Sequence, residues 1–115
     1  MIRTANVNEL PGPEEGFRVL VTRKWPRGIP KDAVDLWVKE LGGTPDLLKE
    51  YKRGKLSQAG FQARYMAETS EPGRQELILD LQRRAMNGKQ LIVMCDFEDE
   101  EGSVRKMLKE VLEAY

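Results

Sequence analysis

A chain of 115 residues, 40% apolar and 33% charged, is long enough for one hydrophobic core and reads as a single domain over 1–115. Nineteen basic residues balance nineteen acidic ones, so the basic excess of a general nucleic-acid binder is missing, and the lack of histidine removes the commonest general base and metal ligand. A lone cysteine, Cys95, excludes an internal disulfide, and no apolar run approaches the ~18 residues of a membrane span.

The first residues, Met1-Ile2-Arg3-Thr4-Ala5-Asn6, carry no apolar signal region, which points to the cytoplasm and to no membrane partner. High charge with few asparagines suits a thermophile. Oligomeric state has no sequence signal.

Residues 2–8 fit a short edge strand, followed by a loop rich in proline and glycine at 10–16. Val19-Leu20-Val21 then forms the centre of a buried strand, 18–22. It runs directly into a stiff basic loop holding Arg23, Lys24, Trp25, Arg27 and Lys31, with Pro26, Gly28 and Pro30 restricting the backbone. Over 31–41, Val34, Trp37, Val38 and Leu41 fall at i, i+3, i+4, i+7, which predicts a helix ended by Gly42-Gly43.

Thr44-Pro45-Asp46 opens another helix, with a threonine cap, proline in the first turn and an early carboxylate. It buries Leu47, Leu48 and Tyr51 and stops near Arg53-Gly54. A third helix begins at Ser57 and turns Phe61, Tyr65 and Met66 inward. Glu71-Pro72-Gly73 breaks the chain before a helix over 74–87, whose inner face is Leu77, Ile78, Leu81 and Ala85, with Asn87-Gly88 as its stop. Leu91-Ile92-Val93-Met94-Cys95 is an unbroken apolar run, the pattern of a strand covered on both faces. An acidic turn follows (Asp96, Glu98, Asp99, Glu100, Glu101), and a last helix from Ser103 presents Val104, Met107, Leu108, Val111, Leu112 and Tyr115. Strands separated by helices predict an α/β fold, a small mostly parallel sheet of two or three strands packed with about five helices.

The stretch Arg18-Val19-Leu20-Val21-Thr22-Arg23-Lys24-Trp25-Pro26-Arg27-Gly28 resembles the signature of the YeaO-like family, a domain of unknown function whose pattern runs R-V-L-V-D-R-x-W-P-R-G. The similarity continues through Trp37, the Phe61, Arg64-Tyr65 and Glu68 segment, and the closing strand, turn and helix at 91–112. Thr22 stands where the family usually has aspartate, and Gly102-Ser103-Val104-Arg105 where its members often carry an Asn-His or Cys-His pair. The resemblance implies a compact α/β fold and supplies no activity, substrate or cofactor.

Ligands of parallel α/β sheets sit beyond the carboxyl ends of the strands. Were 18–22 and 91–95 parallel neighbours, the basic loop, the acidic turn and the start of the last helix would share that edge. Arg23 and Arg27 would then grip a phosphate or carboxylate, backbone N–H groups near Ser103 would add the helix end, and Trp25 would stack on a planar ligand. Lys24, Arg64, Tyr65, Cys95 and Asp96 are secondary candidates. The competing reading is structural: the cations neutralise Asp96 and its acidic neighbours, and Trp25-Pro26 forms a lid over the core.

Cys95 stands at a strand end, where nucleophiles occur, but with acidic neighbours and no histidine it reads better as a buried inert thiol. The acidic turn lacks the spacing of a calcium loop, so neither metal nor cofactor is expected. Arg64 and Glu68, four apart, suggest a surface pair. Three functions follow in order: a small-anion site, with catalysis open; a nucleic-acid or nucleotide module extended by Lys49, Lys52, Arg53 and Lys55, placed second by the zero net charge; and an interaction domain without ligand.

Overall fold

Strand β4 (Leu91–Cys95) is the axis of the fold, and all five of its residues are buried. In this computed structural model residues 1–88, 90–97 and 102–114 are described; the acidic run 98–101 and Tyr115 lie outside them. On one side β4 pairs with β1 (Ile2–Asn6), and on the other with β2 (Phe17–Leu20), which in turn pairs with β3 (Leu36–Trp37). Every pairing is parallel, with Ile2 and Phe17 both opposite Leu91, and Val19 opposite Leu36. The order β1-β4-β2-β3 makes the amino-terminal strand an edge, as expected, and places 18–22 directly beside 91–95. The ladder runs one step past β2, because Val21 N–H donates to the Met94 carbonyl at 2.9 Å.

The four α-helices of the described residues are α1 (Pro45–Lys52), α2 (Gln58–Thr69), α3 (Pro72–Met86) and α4 (Val104–Glu113). Three begin as their capping residues predict: Thr44, Ser57 and Ser103 each accept a backbone N–H from the first turn. Pro72 does not break the chain but occupies the first turn of α3, where a missing N–H costs nothing.

The expected helix over 31–41 does not form. Its place is taken by two single 3₁₀ turns, Lys31–Ala33 and Lys39–Leu41, flanking β3. The apolar spacing was compatible with a helix, but the exposed edge of β2 wins. Asp35 N–H donates to the Arg18 carbonyl and Val38 N–H to the Leu20 carbonyl, both at 2.9 Å. A helix here would leave those acceptors bare and take Asp35 away from the buried Arg18. β-Branched and aromatic residues at 34, 37 and 38 suit the extended choice. Hence, among the described residues, the sheet has four strands rather than two or three, and the α-helices number four rather than about five.

Side-chain alternation divides the interior in two. Val19, Val21, Leu91, Val93 and Cys95 face a large core built with Leu47, Phe61, Tyr65, Ile78, Leu81 and the apolar stripe of α4. Leu20, Ile92 and Met94 point the other way and pack with Val7. Among the described residues no α-helix contributes to that second cluster; Trp25, Ile29 and Val34, from the basic loop and the segment after it, cover it.

Candidate functional site

A cavity of about 420 Å³ opens at the carboxyl ends of β2 and β4. Three pieces of chain enclose it. From the end of β2 come Val21, Thr22, Arg23 and Lys24; from the end of β4, Cys95, Asp96 and Phe97 with Val104 of α4; and from α1, Pro45, Leu48, Lys49, Tyr51 and Lys52, with Gly42 just before it. Positions 45, 48, 49 and 52 recur at i, i+3, i+4, i+7, so a single face of α1 forms that wall.

The turn after β2 is held by its own polar groups. Thr22 Oγ1 donates to the Lys24 carbonyl at 2.6 Å, and the Trp37 indole N–H donates to the Thr22 carbonyl at 2.8 Å. Arg23, half-buried, donates Nε to the Gly43 carbonyl at 3.0 Å, so the arginine is tethered by one nitrogen. Gly42 allows that approach: a Cβ there would lie 2.9 Å from the Arg23 nitrogen and from the Thr22 carbonyl carbon. The helix wall is fixed from α2, where the Glu68 carboxylate accepts Thr44 N–H at 3.0 Å and Thr44 Oγ1 at 2.6 Å. Tyr51 stacks on Phe61 at 4.2 Å between centroids, and Phe61 lies 6.1 Å from Phe97.

The β4 end is pinned by two polar side chains. The Phe97 carbonyl accepts Asn6 Nδ2 at 2.9 Å and Arg105 Nη1 at 2.6 Å. Arg105, 3% exposed, also donates Nη1 to Cys95 Sγ at 3.3 Å. Burial pushes the Cys95 thiol up; the N–H groups of Phe97 and Arg105 and the guanidinium pull the other way without cancelling it. Cys95 is therefore a neutral thiol at the cavity wall.

Of the residues singled out in the sequence, the cavity gathers Arg23, Lys24, Cys95 and Asp96. It does not gather the others. Trp25 lies over the second core, its indole N–H donating to the Ile29 carbonyl at 2.8 Å and its ring edge-on to Trp37 at 5.4 Å. Arg27 is exposed, with no ion-pair partner among the described residues. Ser103 is fully buried and caps α4 through Lys106 N–H, so that helix meets the cavity through Val104. Tyr65 is 1% exposed; its hydroxyl donates to the Leu41 carbonyl at 2.8 Å, and burial pushes the phenol far up. Arg64 pairs with Glu50, and Glu68 with Thr44, in place of the pairing suggested by their spacing.

Asp96 forms no ion pair with Arg23 or Arg27, whereas the rest of the proposed neutralising turn, 98–101, is outside the described residues. Sequence reasoning missed Arg105. Its signal was its position three and seven residues before Leu108 and Leu112, which places it beside the apolar stripe of α4.

A family model described as "DUF488-N3a: Active DUF488-N3 subclade" matches residues 2–115. Uncharacterized protein YeaO of Escherichia coli (strain K12) is 39% identical over 59 residues, covering 50% of this chain and 51% of that protein. Uncharacterized protein Rv3073c of Mycobacterium tuberculosis (strain ATCC 25618 / H37Rv) is 38% identical over 69 residues, 58% of each. These matches span about half the length of the curated relatives. No solved structure matches the chain. The likeness to YeaO read from the Arg18–Gly28 region is thereby borne out.

Proposed function

The chain belongs to the DUF488-N3a family, and from that premise we propose that it binds a small phosphate- or carboxylate-bearing ligand in the cavity at the ends of β2 and β4. One observation carries the reading: among the described lining residues, Arg23, Lys24, Lys49 and Lys52 face a single carboxylate, Asp96, at the edge where parallel sheets bind ligands. The Arg23 guanidinium keeps its two terminal nitrogens for a ligand, since only Nε is committed to Gly43. The family's description as active is in keeping with chemistry at this site. The reading includes a cytoplasmic location, supported by the free cysteine. No helix of the described residues is long and apolar enough to cross a membrane.

The test is a thermal-shift screen of phosphate, carboxylates and nucleotides, repeated with Arg23→Ala and Arg27→Ala. A stabilisation abolished by Arg23→Ala and kept by Arg27→Ala supports the cavity. A stabilisation lost only with Arg27→Ala moves the site to the basic loop, and no shift with any anion refutes the reading.

The exposed Arg27, with Lys24 and Lys31 beside it on the same loop, favours nucleic-acid binding as a second reading. It requires oligonucleotide affinity that falls steeply with salt and weakens in Arg27→Ala.

A further inference from the structure

We infer that the ligand of this cavity is an amphipathic anion, a phosphate monoester carrying an aromatic body of about one ring. The inference rests on the anion-binding reading above and adds the substrate class. A bare tetrahedral oxyanion fills the space of two or three waters, about 60–90 Å³, whereas the cavity holds about 420 Å³. That volume lies within the range of pockets that enclose whole small molecules.

Val21, Leu48, Tyr51 and Phe97 line the cavity together with the cations. A fully hydrated inorganic anion gains nothing from apolar walls and loses solvation against them, while a ligand with an apolar body gains by burying it. Two of those walls are aromatic and already part of a ring series, Tyr51 stacked on Phe61 at 16° and Phe61 on Phe97 at 22°. A ring in the cavity lying against Tyr51 or Phe97 adds to contacts that the protein makes with itself. Among the described lining residues, four cations against the one carboxylate Asp96 suit a dianionic phosphate better than a carboxylate.

Calorimetric titration of the whole protein with phenyl phosphate, inorganic phosphate, benzoate and phenol tests the class, with backbone amide shifts locating the site. Phenyl phosphate is expected to bind about ten- to a hundredfold tighter than inorganic phosphate, the gain of burying one ring, and tighter than benzoate, with phenol weakest. Amides of 21–24, 48–52 and 95–97 should move. Arg23→Ala and, separately, Lys52→Ala on the exposed side of the wall should each weaken phenyl phosphate about tenfold or more. Inorganic phosphate binding as tightly as phenyl phosphate overturns the aromatic body while the anion reading stands. Benzoate binding as tightly as phenyl phosphate overturns the phosphate head alone. Binding of neither phosphate overturns the inference and the anion reading together, as do amide shifts confined to other residues.

Discussion

Asp35 accepts three hydrogen bonds from one residue, Arg18: the backbone N–H at 2.8 Å and Nε at 3.1 Å to Oδ2, and Nη2 at 3.3 Å to Oδ1. The guanidinium's other contacts are the Asp32 carbonyl at 2.9 Å and the Pro11 carbonyl at 3.3 Å. The pair joins β2 to the start of β3, with the arginine side chain 6% exposed and the aspartate 32%. The Asp35 hydrogen bond is the leading cause that raises the Arg18 pKa above its ordinary value.

Removing the carboxylate should therefore be costly, because it strands a buried cation. Asp35→Ala is expected to lower stability by about 2–4 kcal/mol, the lower end reflecting the partial exposure of the aspartate. Urea denaturation measures it. Arg18→Met, which removes the charge and keeps the stem, should cost less than Asp35→Ala; equal or greater loss would mean that the guanidinium's carbonyl contacts dominate.

Gly42→Ala probes how the cavity is built. The backbone at Gly42 is in an ordinary region, φ −88°, so conformational strain is not the issue. The new methyl meets backbone at 2.9–3.0 Å on three atoms of the β2 end, and backbone cannot swing aside like a side chain. A loss of about 1–3 kcal/mol is expected, together with amide shifts at Thr22 and Arg23. An unperturbed spectrum would contradict the account of this contact.

Trp25 covers the helix-free face of the sheet. Trp25→Ala should cost about 2–3 kcal/mol, below the value for a fully buried tryptophan because the ring is half-buried. If Trp25 instead serves the ligand, anion binding should fall without that loss of stability. Calorimetry and denaturation on the same variant separate the two.

Stability should also fall in alkali. Burial is the leading cause that raises both Cys95 and Tyr65 above their ordinary values of 9.0 and 10.0. Above pH 9 the unfolded chain gives up a thiol proton that the folded chain keeps, so the unfolded state binds fewer protons and stability drops as pH rises. These two groups contribute little to pH dependence below about 8; above that Cys95 lowers stability by at most about 1.4 kcal/mol per pH unit, the limit for one proton, until the folded thiol itself ionises, and Tyr65 acts in the same direction above about 10. Cys95→Ala should flatten the first segment and Tyr65→Phe the second. An unchanged slope in Cys95→Ala would show that the thiol ionises freely in the fold.

Several features of this chain are local, and local features were legible. Thr44, Ser57 and Ser103 cap helices through contacts within one turn, and each marks the start expected of it. Leu91–Cys95 is apolar at every position, so it had to be covered on both faces whatever surrounded it. Two parallel strands with their carboxyl ends side by side then located the candidate site, and Arg23, Lys24, Cys95 and Asp96 do meet there.

What remained open depended on groups far apart in the chain. Whether 31–41 becomes a helix or a strand turns on the vacant edge of β2 and on Arg18, which needs Asp35 17 residues away. The α1 wall of the cavity depends on Glu68 reaching back to Thr44 across 24 residues. The basic loop reads as one stretch of four cations and a tryptophan, yet the fold divides it. The four α-helices of the described residues pack on one face of the sheet, so the opposite face must be covered by something else, and Trp25 is drawn there. Arg23, still at the strand end, stays at the cavity. Sequence by itself determined β1, β2, β4 and the caps; only the tertiary structure decided that 31–41 supplies β3 and which side of the sheet each loop residue serves, because those choices depend on which strand edge and which apolar surface the rest of the fold leaves bare.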